Sequence, residues 1–390
     1  MLAQNKLTIV HFHNGTGGGV LSVIRNLLRY KQHRFIENHV IYTINKEHTG
    51  HFELPCLAGA DSEQLFYFSA KWNFYYTCKQ LAKLVPAEGA LLVAHDWLEL
   101  GMVSNLGLQN PVVQFVHGNY AYYLELAKKN ECAIDKYISI SRPIYQNLQH
   151  FIPTRINDMT LLFFPVPEVP NNIKPVNTLN VYFGVRDLEE PGKNFTLLGK
   201  IDEYLVKSNV QVNWYIIGSF SRPGFQADVL DGLQHCLHFS FLKNSELINL
   251  LSSMHVFLLP SIYEGLPVSL IEAMKAGLVP IITDWQSATK NLVVAGVSGY
   301  YESPDNAKGY SEKIMLLNKD RVLLKEMAKE AKQKSDFFFD PIENTRKIEE
   351  EFIKVANSLI PYKRPKKVYG SRLDNTWIPN RITRFIRSFA

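Results

Sequence analysis

PSIYEGLPVSLIEAMKAGLVPIITD, residues 260–284, decides how the chain is read. The apolar run His255 to Leu259 before it has strand length and stops at Pro260, which cannot donate to a sheet ladder. A loop follows, with backbone freedom at Gly265. Pro267 suits the first turn of a helix, and Leu270, Ile271 and Met274 recur at helical spacing. Gly277 ends that helix and Leu278 to Thr283 makes the next strand, so the stretch is a βαβ unit. In open α/β sheets ligands bind beyond the carboxyl ends of the strands, so the loop 261–266, with Glu264, faces a crevice. The free N–H groups at the helix start suit an anion such as a diphosphate. Read alone, Glu264 is a loop carboxylate and Glu272 a solvated helix residue.

The same grammar recurs along the chain. Leu7 to Phe12 is a strand followed by HNGTGGG, with Gly15, Gly17, Gly18 and Gly19, and then by a helical pattern through Val20, Val23, Ile24, Leu27 and Leu28. The glycines do not form GxGxxG, and no acidic residue ends the next strand, His39 to Thr43, so a dehydrogenase is disfavoured. Further strands are expected at Leu65 to Phe68, Ala90 to Ala94, Val112 to Val116 and Lys136 to Ile140, with helices such as Phe74 to Val85 and Arg142 to His150 between them. His95 and Asp96 follow one strand and His117 another, on the crevice side. The proline-rich FPVPEVPNNIKP marks a linker, after which a second alternating series begins with strand Leu179 to Gly184, helix Asn194 to Val206, strand Val212 to Ile217 and helix Ser245 to Ser253. Arg186 and Lys193 flank the turn after the first strand of that series, placed to clamp a diphosphate. The expected boundaries are 1–164 for the first domain, 165–178 for the linker, 179–340 for the second domain, 341–360 for a crossing helix and 361–390 for a basic tail.

The 390 residues, 46% of them hydrophobic, suffice for two domains with large cores. No apolar run reaches the ~20 residues of a transmembrane helix, and the start, MLAQNKLTIVHF, has too short an apolar segment for a signal peptide, so a cytoplasmic location is expected. Cys56, Cys78, Cys132 and Cys236 lack metal-ligand spacing. The net charge of +5 comes from the tail: residues 361–390 hold eight Lys/Arg and one acid, which leaves 34 bases against 36 acids elsewhere. A nucleic-acid binder carries its basic stripe on the folded domain, so no nucleic-acid partner is expected. In the tail, Ile382, Phe385, Ile386 and Phe389 fall at helical spacing with Arg381, Arg384 and Arg387 between them, and Asn380 is placed to cap that helix. Such a segment suits an anionic membrane surface.

These residues resemble the retaining glycosyltransferases of family 4. Glu264, Gly265, Leu266, Glu272, Ala273 and Gly277 match that family's E-x7-E signature; Gly184, Arg186 and Lys193 its phosphate clamp; Gly218 its second-domain glycine; Ser139 and Ser141 its SxS strand end; Gly17 to Gly19 and His117 its first-domain glycine loop and histidine. The sequence departs from the pattern at Glu189 to Gly192, a small insertion between Arg186 and Lys193, at Phe164-Pro165, and at Trp285-Gln286-Ser287. The resemblance implies the α/β GT-B fold, with two doubly wound Rossmann-like domains facing each other across a deep cleft. It also implies a nucleotide diphosphate sugar as donor, a UDP-sugar being favoured, and a glycan, lipid-linked or protein-linked acceptor in cell-surface polysaccharide or glycoconjugate synthesis. Arg186, Lys193 and the amides after Glu264 would hold the phosphates, Glu272 the ribose, Glu264 the sugar hydroxyls, and His117 would reach the sugar from the other domain; Gly17, Gly18, Gly218, Gly265 and Leu266 would line the donor. No metal or cofactor is expected, and no DxD motif occurs.

A glycosidase would use the two carboxylates as acid and nucleophile, but eight helical residues set them roughly 12 Å apart, beyond the about 5–9.5 Å of glycosidase pairs. The rival readings are a nucleotide-sugar epimerase or a phosphorylase on the same fold, and a non-catalytic partner subunit.

Overall fold

The computed structural model describes residues 6–15, 18–47, 53–86, 89–170, 178–220, 227–284, 289–358 and 370–389. Gly17, part of the linker and Trp285-Gln286-Ser287 lie outside them. The chain forms two units, Met1–Pro165 with Pro341–Ala390, and Val166–Asp340.

In the first unit β1 (Leu7–His13), β2 (Ile36–Asn45), β3 (Ser62–Phe68), β4 (Ala90–Ala94), β5 (Val112–Val116), β6 (Lys136–Ser139) and β7 (Met159–Leu161) form one sheet. Its order is β3-β2-β1-β4-β5-β6-β7, with every neighbouring pair parallel. The runs ALLVA and VVQFV are buried at every position, which requires cover on both faces. Helix Gly19–Arg29 supplies part of it, setting Leu21, Ile24 and Leu28 against Val40, Tyr42 and Ile44. Helix Pro341–Asn357 packs on β4 and β5 and brings Phe352 to the rings of His11 and Phe115.

In the second unit β8 (Leu179–Asp187), β9 (Val212–Ser219), β10 (Cys236–Phe239), β11 (Val256–Leu259), β12 (Val279–Thr283) and β13 (Tyr300–Glu302) are ordered β10-β9-β8-β11-β12-β13, again all parallel. Two doubly wound α/β units are therefore present. Each sheet reverses its winding once, between β1 and β4 and between β8 and β11, and the loops leaving those strand pairs diverge and open a crevice.

Sequence reasoning missed β7, β10 and β13, which have three or four residues and carry no alternating pattern. The second-unit helix expected from Asn194 starts at Leu197, because Pro191–Lys193 forms a 3-10 turn and Asn194 turns left-handed at φ 56°. Gly265 is not among the glycines with positive φ, so the freedom expected of it is not used.

The tail residues 370–389 belong to the first unit and are held by polar bonds. Asn73 caps helix Phe74–Leu81 through Tyr76 N–H, while its Nδ2 reaches the carbonyls of Leu373, Asn375 and Ile378 at 2.9, 3.1 and 3.1 Å. Asn380 does not cap the tail helix Asn380–Arg387. Pro379 takes the cap position, and the Asn380 Oδ1 accepts the Asn73 N–H at 2.9 Å. Arg387 is likewise not part of a solvated basic face, since it binds Asp374 and the Trp72 carbonyl. The fastening uses the polar side of the helix, so Ile382, Phe385, Ile386 and Phe389 point outward, with Phe385 and Phe389 66% and 78% exposed.

Candidate active site

At the second unit's reversal, the loops after β8 and β11 are bolted together. Ile262 N–H donates to the Gly192 carbonyl at 2.8 Å, and the Tyr263 ring lies where a Gly192 Cβ would stand, its carbon and hydroxyl 2.8 Å from that position. The Asn194 Nδ2 donates to the carbonyls of Pro260 and Pro304, at 3.1 and 2.6 Å. These contacts explain the insertion Glu189 to Gly192: its turn carries the shelf on which the Pro260 loop rests. Lys193 Nζ is thereby brought 2.8 Å from Glu264 Oε1, and both side chains are largely buried.

Helix Val268–Lys275 begins four residues beyond Glu264 with Pro267 at its cap position and no side-chain cap, so its first N–H groups remain available to an anion. Because Glu264 lies outside this helix, the helical-rise estimate does not measure its distance from Glu272. The two carboxylates have different surroundings: Glu264 faces Lys193, whereas the charge of Glu272 is felt at the buried Tyr182 hydroxyl, whose pKa burial raises first and Glu272 further. Leu266 is buried and Arg186 is exposed. The Tyr182 hydroxyl sits 1.8 Å from where a Gly184 Cβ would be, so only glycine fits there. Gly218, at φ 156°, lies against the Val185 carbonyl in the same way, 2.7 Å from a would-be Cβ. A buried lysine, Lys275, anchors the helix from below by binding Glu168 Oε1 at 2.6 Å and Asp336 Oδ1 at 3.4 Å.

At the first unit's reversal, Asn14 Nδ2 spans the gap to Asp96 Oδ2 at 2.9 Å. Asp96 also caps helix Trp97–Leu106 and accepts from the Tyr122 hydroxyl. Glu99 takes the N–H groups of His95 and Asp96 at 2.7 and 2.6 Å, and burial, followed by the charge of Asp96, pushes it up to about 7. Gly15 and Gly18 both have positive φ, 73° and 86°, in the loop after β1.

His117 belongs to a group of histidines at this edge. His95 Nδ1 and His117 Nε2 are 2.8 Å apart, their rings are stacked with centroids 5.1 Å apart, and His11 stacks on His95 at 6.3 Å. Burial lowers His11 to about 4 and His117 to about 3, and it holds His95 well below the ordinary range. All three are neutral at physiological pH. His11 Nδ1 and His95 Nε2 are buried without a hydrogen-bond partner among the described residues. An orphaned lone pair costs less than an orphaned N–H, so we assign the protons to His11 Nε2, facing Asn38, and to His95 Nδ1, facing His117. His117 then carries its proton on Nδ1. Sequence reasoning found His117 and His95 but missed His11 and His13. Their signal was position, at the carboxyl end of a strand beside the winding reversal. Among the described residues no group of three or more metal-ligating side chains is arranged to hold an ion.

Known proteins share this architecture. Residues 170–334 match the family described as glycosyl transferases group 1. A 140-residue region is 37% identical to N,N'-diacetylbacillosaminyl-diphospho-undecaprenol alpha-1,3-N-acetylgalactosaminyltransferase of Campylobacter jejuni subsp. jejuni serotype O:2, covering 36% of this chain and 32% of that protein. The matched region thus spans about a third of that curated relative. Among solved structures, a glycosyltransferase from Rickettsia africae ESF-5 has a TM-score of 0.73 at 15% identity, covering 91% of this chain and 100% of the other. HepE of Anabaena in complex with UDP-glucose has a TM-score of 0.71 at 15% identity, covering 89% and 100%. The pneumococcal O-GlcNAc transferase GtfA in complex with UDP and GlcNAc has a TM-score of 0.71 at 12% identity, covering 91% and 100%. These structures establish the two-Rossmann-domain GT-B fold.

The neutral histidines set a pH dependence for the first unit. A histidine with a depressed native pKa leaves stability unchanged above 6.5; below it the unfolded chain takes up protons that the native site refuses until about 4. Each such histidine therefore destabilises the native unit across that window. Glu99, raised to about 7, acts in the opposite sense, but three histidines outweigh one carboxyl. Hydrogen exchange of peptides from β1, β4 and β5 is therefore expected to accelerate between pH 6.5 and 4 after correction for intrinsic rates, and less so in His11→Gln. An unchanged corrected rate would refute neutral burial.

The match to the family described as glycosyl transferases group 1 thus runs through nearly all of the second unit.

Proposed function

We propose that the chain is a metal-independent, retaining glycosyltransferase of family 4 that uses a UDP-sugar as donor and a lipid-linked or glycan acceptor. The observation that carries this reading is the Lys193–Glu264 pair beside an uncapped helix start at the winding reversal of the second unit. A diphosphate leaving group gathers negative charge as the bond to the sugar C1 breaks. A preplaced lysine, a nearby arginine and oriented backbone amides stabilise that charge without reorganising. In this account Lys193, Arg186 and the first amides of helix Val268–Lys275 hold the phosphates, and Glu264 binds sugar hydroxyls while orienting Lys193. Glu272 binds the ribose, and Gly17, Gly18, Gly218, Gly265 and Leu266 line the donor. His117, neutral and protonated on Nδ1, offers a donor to sugar oxygens without introducing charge.

Retention follows from attack on the departing face. The acceptor oxygen bonds to C1 as the C1–O bond to the diphosphate breaks, and the hydroxyl proton passes to the leaving phosphate oxygen. Two similarities support the substrates: HepE and GtfA were solved with UDP-containing ligands, and the Campylobacter relative's name carries a diphospho-undecaprenol acceptor. We further propose that the protein works at the cytoplasmic face of a membrane through its basic tail. Among the described residues no helix is long and apolar enough to cross a membrane.

With an α-linked UDP-sugar, NMR of the product is expected to show an α linkage, and Glu264→Ala and Arg186→Ala are each expected to lower kcat about 10²–10³-fold with activity unaffected by EDTA. A β product, or undiminished turnover in Glu264→Ala, would contradict the assignment. Liposomes containing anionic lipid are expected to sediment the full chain but not a Phe385→Ser/Phe389→Ser variant. Equal sedimentation would remove the tail from membrane binding.

A further inference from the structure

A cavity of about 310 Å³ lies in the first unit beneath the tail. Its apolar walls are Phe68, Trp72, Phe74, Trp97 and Leu126. Six polar side chains also line it, Ser69, Thr77, Lys129, Asn130, Asp374 and Arg387, and each is already engaged. Asp374 accepts from Phe74 N–H and Arg387, and Arg387 also binds Ser371 and two carbonyls. Thr77 donates to the Asn73 carbonyl at 3.2 Å. An occupant would therefore be held chiefly by aromatic and aliphatic surface, which selects a hydrocarbon over a polar metabolite.

Position narrows the occupant further. Phe68 is the last residue of β3, and Trp97 directly follows Asp96, so the cavity opens at the same carboxyl edge of the sheet as the Asp96 and His117 cluster. Its roof is formed by Gly370, Asp374 and Arg387 of the very segment whose helix turns Ile382, Phe385, Ile386 and Phe389 to solvent. Arg381 and Arg384 are exposed on that helix, and their charge complements anionic headgroups. An outward apolar helix and an aromatic cavity under it suit one kind of ligand, a chain entering from a bilayer.

We infer that this cavity holds the hydrocarbon chain of the lipid that carries the acceptor sugar. The inference rests on the lipid-linked acceptor proposed above and adds a binding site for the lipid itself. The tail brings the first unit to the membrane surface, and the chain packs against Trp72 and the stacked rings of Phe74 and Trp97. The head end of the chain is then left at the carboxyl edge of the sheet, where the sugar hydroxyls can meet Asp96 and His117.

Two measurements on the full chain test this. In the first, a long-chain alkyl phosphate with a terminal diazirine is photolysed with the protein below its micellar concentration, and the crosslinks are mapped. They are expected in peptides containing Phe68 to Phe74 or Trp97, and to be lost in Ala70→Trp, which fills the cavity from its exposed rim. In the second, the KM of Ala70→Trp is compared for acceptors with long and short chains. Exclusion of even two methylenes is worth about tenfold, so the long-chain KM is expected to rise about tenfold with the short-chain KM unchanged. Trp97→Ala, which removes a wall without filling the space, gives a second variant if Ala70→Trp fails to fold. Crosslinks elsewhere, labelling equal in wild type and variant, or loss of both acceptors in parallel would overturn the lipid site. Crosslinks at the cavity with no sugar transfer to any acceptor would instead sink the transferase reading and leave a lipid site standing.

Discussion

The bond between Lys193 and Glu264 is the contact that ties together the two loops at the second unit's crevice. It joins two loops that leave neighbouring strands in diverging directions, because the sheet winds one way from β8 and the other way from β11. Divergence makes room for a ligand, but it also leaves loop backbone without support. The chain answers with the Gly192 shelf, the Tyr263 ring, the two carbonyls taken by Asn194 and the ion pair itself. A lysine held this way is oriented before any ligand arrives, so in the proposed reaction its charge would act on a leaving diphosphate with little further ordering.

The first unit meets the same topological demand with different chemistry. Its reversal between β1 and β4 is bridged by Asn14 and Asp96, and neutral histidines stack behind the bridge. Desolvation keeps His11, His95 and His117 uncharged. A cationic edge would attract phosphate to this unit; a neutral one offers hydrogen bonds to hydroxyl groups and, in the proposed function, would leave anion binding to Lys193 and Arg186.

Much of this was legible in the sequence, for physical reasons. Runs such as ALLVA and VVQFV have the length and continuous apolar character of strands buried on both faces, and their spacing with amphipathic helices implies parallel sheets. The Pro260 to Asp284 stretch announced its loop and helix start through Pro260, Pro267 and Gly277. What escaped notice depends on tertiary partners. The edge strands β7, β10 and β13 are too short to carry a period. Asn73 looks like an ordinary cap until its Nδ2 is seen reaching three carbonyls of the tail, and Arg387 looks solvated until Asp374 is placed beside it. The buried lysine Lys275 reads in sequence as one more helix-end base, and only the fold supplies Glu168 and Asp336. The insertion between Arg186 and Lys193 was visible, but its use as a shelf for Tyr263 was not.

Calorimetric titration of UDP and uridine into wild type and Lys193→Met asks whether this unit binds a diphosphate through this lysine. UDP is expected to bind, uridine to bind far more weakly, and loss of a charge-assisted contact worth about 1.5–3 kcal/mol to weaken UDP roughly 10- to 100-fold. Uridine binding as tightly as UDP, or UDP affinity unchanged in Lys193→Met, would contradict diphosphate binding through this lysine.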